Sequence, residues 1–225
     1  MDSQGLKAKV PAFGDLMRLA CLYLTNIVTG FCLMALEILG GRLLQPVFGS
    51  SIDVWAAIIS VFILSLSIGY VLGGRIADRS KSNLALASVI IAAGAFYCLM
   101  TWYSIRFTHA LGEDIQTARW GVLVGALVLF LPPSVLLGSV SPMLVKLVFT
   151  NAAHVGRTTG TLYAVGSLGN VLGVLITDYI LLEQFELTTN LLAMGIALGL
   201  VGIIHLFIRV EAGAIAAVAA PGAAA

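Results

Sequence analysis

The chain has 225 residues, of which 60% are hydrophobic and only 10% charged, with a formal net charge of +1 and a mean hydropathy of +1.04. A soluble domain carries about 25% charged residues, so this composition leaves too little polar surface for a protein in water and predicts an integral membrane protein. With no basic stripe outside the loop ends, the near-neutral charge excludes nucleic acid as a partner.

A bilayer core of ~30 Å needs about 20 apolar residues per helix. Six runs qualify: 16–44, 54–76, 84–105, 121–149, 161–182 and 187–208. The alternating segments of a membrane barrel, about ten residues each, are absent. The predicted fold is an all-α membrane protein, a six-transmembrane-helix bundle over 16–209, preceded by a short segment, 1–15, and followed by an Ala-rich tail, 210–225. The first run is too long for a signal-peptide core and lacks a small-residue cleavage site, so it is expected to act as an uncleaved anchor.

In the first span, Thr25, Asn26 and Thr29 offer helix-to-helix hydrogen bonds worth about 0.6 kcal/mol each. Glu37 is its only acidic residue, and helical spacing puts it on the face of Leu33, Gly40 and Gly41. Carboxylates inside a membrane are costly and point to function. Two readings stay open. Glu37 and Asp178 of the fifth span converge on a cavity that binds a cation or a proton, or Glu37 pairs with Arg42 while Asp178 lies at the aqueous boundary. Cys21, Cys32 and Cys98 all fall inside apolar runs and read as small buried hydrophobes.

The second span ends in Gly69-Tyr-Val-Leu-Gly-Gly-Arg-Ile-Ala-Asp-Arg-Ser-Lys81, the dense charge of the chain. After the third span, residues 106–120 read as a modest loop with at most a short surface helix. The fourth span carries Pro132, Pro133 and Pro142, each of which removes a backbone donor. Ser134, Ser139 and Ser141 are placed to satisfy the freed carbonyls; a fixed kink and an interrupted transport helix are both open. Glycines recur at four-residue spacing: Gly69 and Gly73, Gly121 and Gly125, Gly169 and Gly173, Gly195 and Gly199. Such pairs let backbones approach where lipid gives no hydrophobic drive. The fifth span, with Gly166, Gly169 and Gly173 beside Ser167 and Asn170, is expected to be buried in the bundle.

Lys and Arg placement sets orientation. Lys7, Lys9, Arg18, Arg75, Arg79, Lys81, Lys146, Arg157 and Arg209 fall on one side, nine in all, against three (Arg42, Arg106 and Arg119) on the other. The second side also collects Asp53, Glu113, Asp114, Glu183 and Glu186. Both termini are expected in the cytoplasm, in keeping with a bacterial inner-membrane protein.

The segment Gly74-Arg-Ile-Ala-Asp78-Arg79 resembles the loop that joins the second and third helices of major facilitator superfamily transporters. The resemblance implies that Asp78 and Arg79 brace helix ends on the cytoplasmic side; with Gly74-Arg75 before them and a second Gly-Arg at Arg157, the pattern gives Arg75, Arg79 or Arg157 as the expected partners of Asp78. The Gly-Arg-Lys part of that pattern is absent. A wider likeness covers most of residues 30–175. Leu36-Glu37-Ile38, Arg42-Leu43-Leu44-x-Pro46-x-Phe48-Gly49 and Val54-Trp55 are followed by Gly69-Tyr70-x-x-Gly73-Gly74-Arg75-x-Ala77-Asp78. Gly138-x-x-x-Pro142, Gly156-Arg157-x-x-Gly160-x-Leu162-Tyr163-Ala164 and Leu168-Gly169-x-x-x-Gly173 complete it. Together they resemble the membrane domain of the spermidine synthase-like multi-pass proteins, the fused transporter/spermidine synthases. That implies a bundle resembling one half of a major facilitator transporter, and a soluble aminopropyltransferase-like partner. No strand followed by a Gly-rich turn and an acidic residue occurs in this chain, so synthase chemistry does not carry over.

No cofactor motif and no nucleophile–base arrangement is present, and His109, His154 and His205 have no metal-ligand spacing. The sequence therefore reads as a non-enzyme. Glu37, Arg42, Asp178 and Asn170 are the candidates for a solute or ion, with a homodimer or partner subunit to supply the second half. The competing reading is a membrane scaffold that assembles a separate complex.

Overall fold

The computed structural model describes residues 13–80, 82–114, 118–149, 155–208 and 210. They are almost wholly helical: α1 Phe13–Phe48, α2 Ile52–Arg79, α3 Leu84–Asp114, α4 Ala118–Val148 and α5 Val155–Ile176. A π-helical turn, Thr177–Leu181, leads from α5 into the short α6, Leu182–Gln184, and α7 is Leu187–Phe207. Six segments are long and apolar enough to cross a membrane, the fifth running from Val155 to Gln184. This is the build of a multi-pass membrane protein. Gly49, with φ 78°, makes the tight turn between α1 and α2, a backbone conformation that a side chain resists.

The helices outrun the apolar runs that announce them. α3 continues to Asp114 and α4 starts at Ala118, so the loop expected over 106–120 is nearly all helix. Nothing between Arg106 and Leu111 breaks a helix, and hydropathy measures only the part of a helix that is apolar. α4 is continuous through all three prolines. Ser139 donates to the Leu136 carbonyl at 2.7 Å, although the carbonyl that Pro142 leaves without its helical donor is that of Gly138. Ser134 is buried without a partner. The serines thus do not perform the repair expected of them, and the irregular turn lies in the fifth span instead.

Contacts pair α1 with α5, α2 with α4, and α3 with α7. Glycines explain the closeness. A Cβ on Gly69 would meet the backbone of Val135 and Gly138, and one on Gly73 that of Ser139. On Gly169 and Gly173 it would strike the backbone of Ile27 and Phe31, and on Gly195 the Cys98 sulfur and the Gly94 carbonyl. Tyr97 adds a buried hydrogen bond from α3 to the Cys32 carbonyl of α1, at 2.6 Å, and Phe62 meets Phe130 across α2 and α4.

One expectation about burial fails. Only 17% of the most apolar stretch of the fifth span is buried, against 56% for the fourth. The glycine stripe of α5 is narrow and serves α1 alone, while Leu168, Val171, Leu172, Leu175 and Tyr179 on its other faces stay exposed. At the far end, Val210 is not the start of a free tail. It is buried and exchanges hydrogen bonds with Asn83, its N–H to Oδ1 and its carbonyl from the Asn83 N–H, both 3.0 Å. The remaining tail, 211–225, and most of the segment 1–15 lie outside the described residues.

Candidate functional site

Where the α1–α5 and α2–α4 pairs meet, the bundle holds a cleft of about 110 Å³. Asn26, Thr29, Gly30 and Leu33 line it from α1, and Leu66 and Tyr70 from α2. Gly138, Ser141 and Val145 of α4 and Leu162, Tyr163, Gly166, Ser167 and Asn170 of α5 complete the wall. Part of the polar lining is used internally. Asn26 Nδ2 donates to the Leu162 carbonyl at 2.6 Å, and Thr29 donates to the Thr25 carbonyl at 2.9 Å. The side chains of Tyr70, Ser141, Tyr163, Ser167 and Asn170 make no hydrogen bond within the described residues. They give the cleft free donors and acceptors with no charge among them.

The charged candidates stand around this cleft differently. Asn26, Gly30, Leu33 and Glu37 follow one stripe of α1, and Tyr163, Ser167 and Asn170 follow one stripe of the fifth span, with Asp178 further along that span. A Cβ on Gly30 would lie 2.8 Å from the Asn170 side chain, which fixes the register of the two helices. Seven residues carry α1 from there to Glu37, and eight carry the fifth span to Asp178, rises of about 10 and 12 Å. Both carboxylates therefore lie at the same end of the cleft, beyond its lining, Glu37 on the cleft-facing stripe of α1 and Asp178 turned towards the Val171 face of the fifth span. Glu37 is half-buried, Asp178 is exposed, and neither has an ion pair or hydrogen bond among the described residues. Asp178 belongs to the π turn, an irregularity often found at functional sites that no sequence pattern announced.

The Glu37–Arg42 pair does not form. Five residues apart on a helix, the two side chains point to different faces. Arg42 faces a separate groove between α1, α3 and α7 with His109. The loop motif at the end of α2 is also assembled otherwise than expected. Asp78 meets Lys146 of α4 at 3.9 Å, with Asp78 81% exposed, rather than Arg75, Arg79 or Arg157. All three arginines are exposed and without an ion pair among the described residues. Gly74 has open space where a Cβ would stand.

His205 is the residue whose setting sequence reasoning missed. Its Nε2 lies 2.8 Å from Thr25 Oγ1, and its Nδ1 lies 3.2 Å from Asn83 Nδ2. Thr25 also bonds the Cys21 carbonyl at 2.8 Å. Since the hydroxyl has one proton and spends it there, the histidine donates from Nε2 and accepts at Nδ1. Asn83 Nδ2 further reaches the carbonyls of His205 and Ile208, at 3.0 and 2.7 Å. This buried network clasps α1, the start of α3 and the end of α7, and gives His205 more partners than a lone residue suggests. Among the described residues no three His, Cys, Asp or Glu side chains are grouped to hold a metal ion.

Compared with known proteins, the chain matches no family model, no curated protein and no solved structure.

Proposed function

We propose that this protein is the membrane half of a transporter-like assembly that binds a small polar, cationic solute in the cleft between the first, second, fourth and fifth spans. The observation that carries the reading is the row of hydrogen-bonding groups at Tyr70, Ser141, Tyr163, Ser167 and Asn170 that have no partner among the described residues, with Glu37 and Asp178 likewise unpaired beyond it. Groups of this kind cost several kcal/mol each when left facing hydrocarbon. They suit a hydrated path, and the two carboxylates bias it towards cations.

The helix pairing supports the architecture. Exchanging the first span with the fourth, the second with the fifth and the third with the sixth turns the α1–α5 contact into the α4–α2 contact and leaves α3–α7 unchanged. That is the scheme expected of two three-helix repeats, as in each half of a major facilitator transporter. It agrees with the resemblance to the membrane domain of the fused transporter/spermidine synthases. On this reading a second copy or a partner subunit completes the assembly. The positive-inside bias orients the Asp78–Lys146 end towards the cytoplasm of a bacterial inner membrane.

The scaffold reading draws on a different observation. Arg75, Arg79 and Arg157 are exposed at the same end, with no ion pair among the described residues, a surface suited to an acidic soluble partner such as an aminopropyltransferase-like subunit. Binding of a panel of small amines, read by melting of the purified protein, separates the two. Transporter-like binding predicts stabilisation by at least one amine and its loss in Asn170→Ala, with the unliganded melting unchanged. A flat response across the panel favours the scaffold.

A further inference from the structure

At the end of the bundle that carries Trp55, Trp102 and Trp120, a second groove of about 240 Å³ opens between α1, α3 and α7. Its two polar heads are Arg42 and His109, both exposed and neither with a partner among the described residues. Leu43, Val47, Ile105 and Leu187 supply the apolar walls. Thr108 also borders the groove, but its hydroxyl already donates to the Ser104 carbonyl at 2.7 Å. The groove therefore offers donors to an anion, and its walls offer a cation nothing comparable.

We infer that this groove binds one membrane phospholipid, its phosphodiester held by Arg42 and His109 and an acyl chain laid along Leu43, Val47, Ile105 and Leu187. A guanidinium presents a rigid fork of donors that matches phosphate oxygens, and an imidazole keeps at least one N–H in either protonation state. The level is right for a headgroup. Trp102, 82% exposed, lies on the same α3 stripe as Ile105 and His109, and exposed tryptophans favour the membrane–water interface. From Trp102 to His109 α3 rises about 10 Å further towards water. A soluble phosphate would leave the apolar walls bare, whereas a lipid covers both parts at once.

The test is native mass spectrometry of the purified protein in mixed micelles with dioleoylphosphatidylethanolamine. Dioleoylglycerol serves as the phosphate-free probe and inorganic phosphate as the soluble one. We expect saturable binding of the phospholipid, at least tenfold weaker for dioleoylglycerol and for the Arg42→Gln/His109→Gln variant, since each lacks both phosphate contacts and one charge-assisted contact alone is worth about tenfold. Millimolar inorganic phosphate should not displace the lipid. Arg42→Lys, which keeps the charge and loses the fork, should fall between, and it is the variant to read if the double substitution lowers the melting temperature. Equal binding of both lipids, full retention in the double variant, or displacement by inorganic phosphate would each overturn the assignment.

Discussion

Glu37 shows what a single half-buried side chain settles and what it leaves to the ligand. Its stripe on α1 is flanked by glycines that do meet protein: a Cβ on Gly40 would touch Phe130, and one on Gly41 would touch Trp55. The face was legible from helical spacing, because small residues beside a carboxylate imply a neighbouring helix. What spacing did not yield is that the carboxylate lacks a partner among the described residues, since Arg42 five residues on looks available in sequence and turns to another face in space. Without a stranded partner, Glu37→Gln has little structural cost, so its melting temperature should match wild type. On the proposed function, amine binding should fall about tenfold or more, the scale of a lost charged contact. A marked drop in melting with binding intact would return Glu37 to a structural role. His205 and Asp78 were less legible for one shared reason. Thr25 is 180 residues from His205, and Lys146 meets Asp78 only because α2 lies on α4.

At the scale of helices, the count of six was open to hydropathy, and the ends were not. A helix keeps its own hydrogen bonds after its side chains turn polar, so α3 runs beyond the last apolar residue of its run to Asp114. The π turn at Thr177–Leu181 is a matter of one extra residue in a backbone ladder, which no apolar period records. Glycine spacing was informative about contacts and misleading about burial, as α5 shows. The structure divides glycines that look alike in sequence. Gly173 abuts the backbone of Phe31, which cannot swing aside, whereas a Cβ on Gly74 has nothing within 4 Å. Gly173→Val should therefore destabilise the purified protein by at least the ~1–3 kcal/mol of overpacking, and Gly74→Ala should be neutral or stabilising by up to about 1 kcal/mol from helix propensity. Melting of the two variants side by side tests the packing scheme. A tolerated Gly173→Val would mean that α1 and α5 do not meet there. Asp78 belongs to the same comparison: an ion pair 3.9 Å long with one partner 81% exposed contributes at most about 1 kcal/mol, so this pair by itself does little to hold α2 to α4.

For the molecule as a whole, the two sides of the bundle pose different problems. The exposed apolar residues of α3 and α7, among them Leu99, Ile196, Leu200 and Ile203, can face lipid without cost. The cleft side cannot, because Tyr70, Ser141, Tyr163, Ser167 and Asn170 are hydrogen-bonding groups that lipid leaves unmet. Either water or another protein surface must cover them. A second copy is the economical cover, since a two-fold interface presents the same patch twice and encloses the free groups of both. Residues near such an axis meet their own counterparts. Ser167, on the cleft stripe of α5, is suited to report this, and Ser88, exposed on α3 away from the cleft, is the control. With Cys21, Cys32 and Cys98 replaced by alanine, Ser167→Cys should give a disulfide-linked species of twice the monomer mass under mild oxidation in membranes, while Ser88→Cys should remain monomeric. Equal cross-linking at both positions would reflect random collision in the bilayer. No cross-link at Ser167 would remove the second copy from the cleft and leave its polar groups to water or to a different subunit. The cross-linked dimer also separates closure from transport: if the linked form still binds an amine but no longer exchanges it, the cleft opens by the two copies parting.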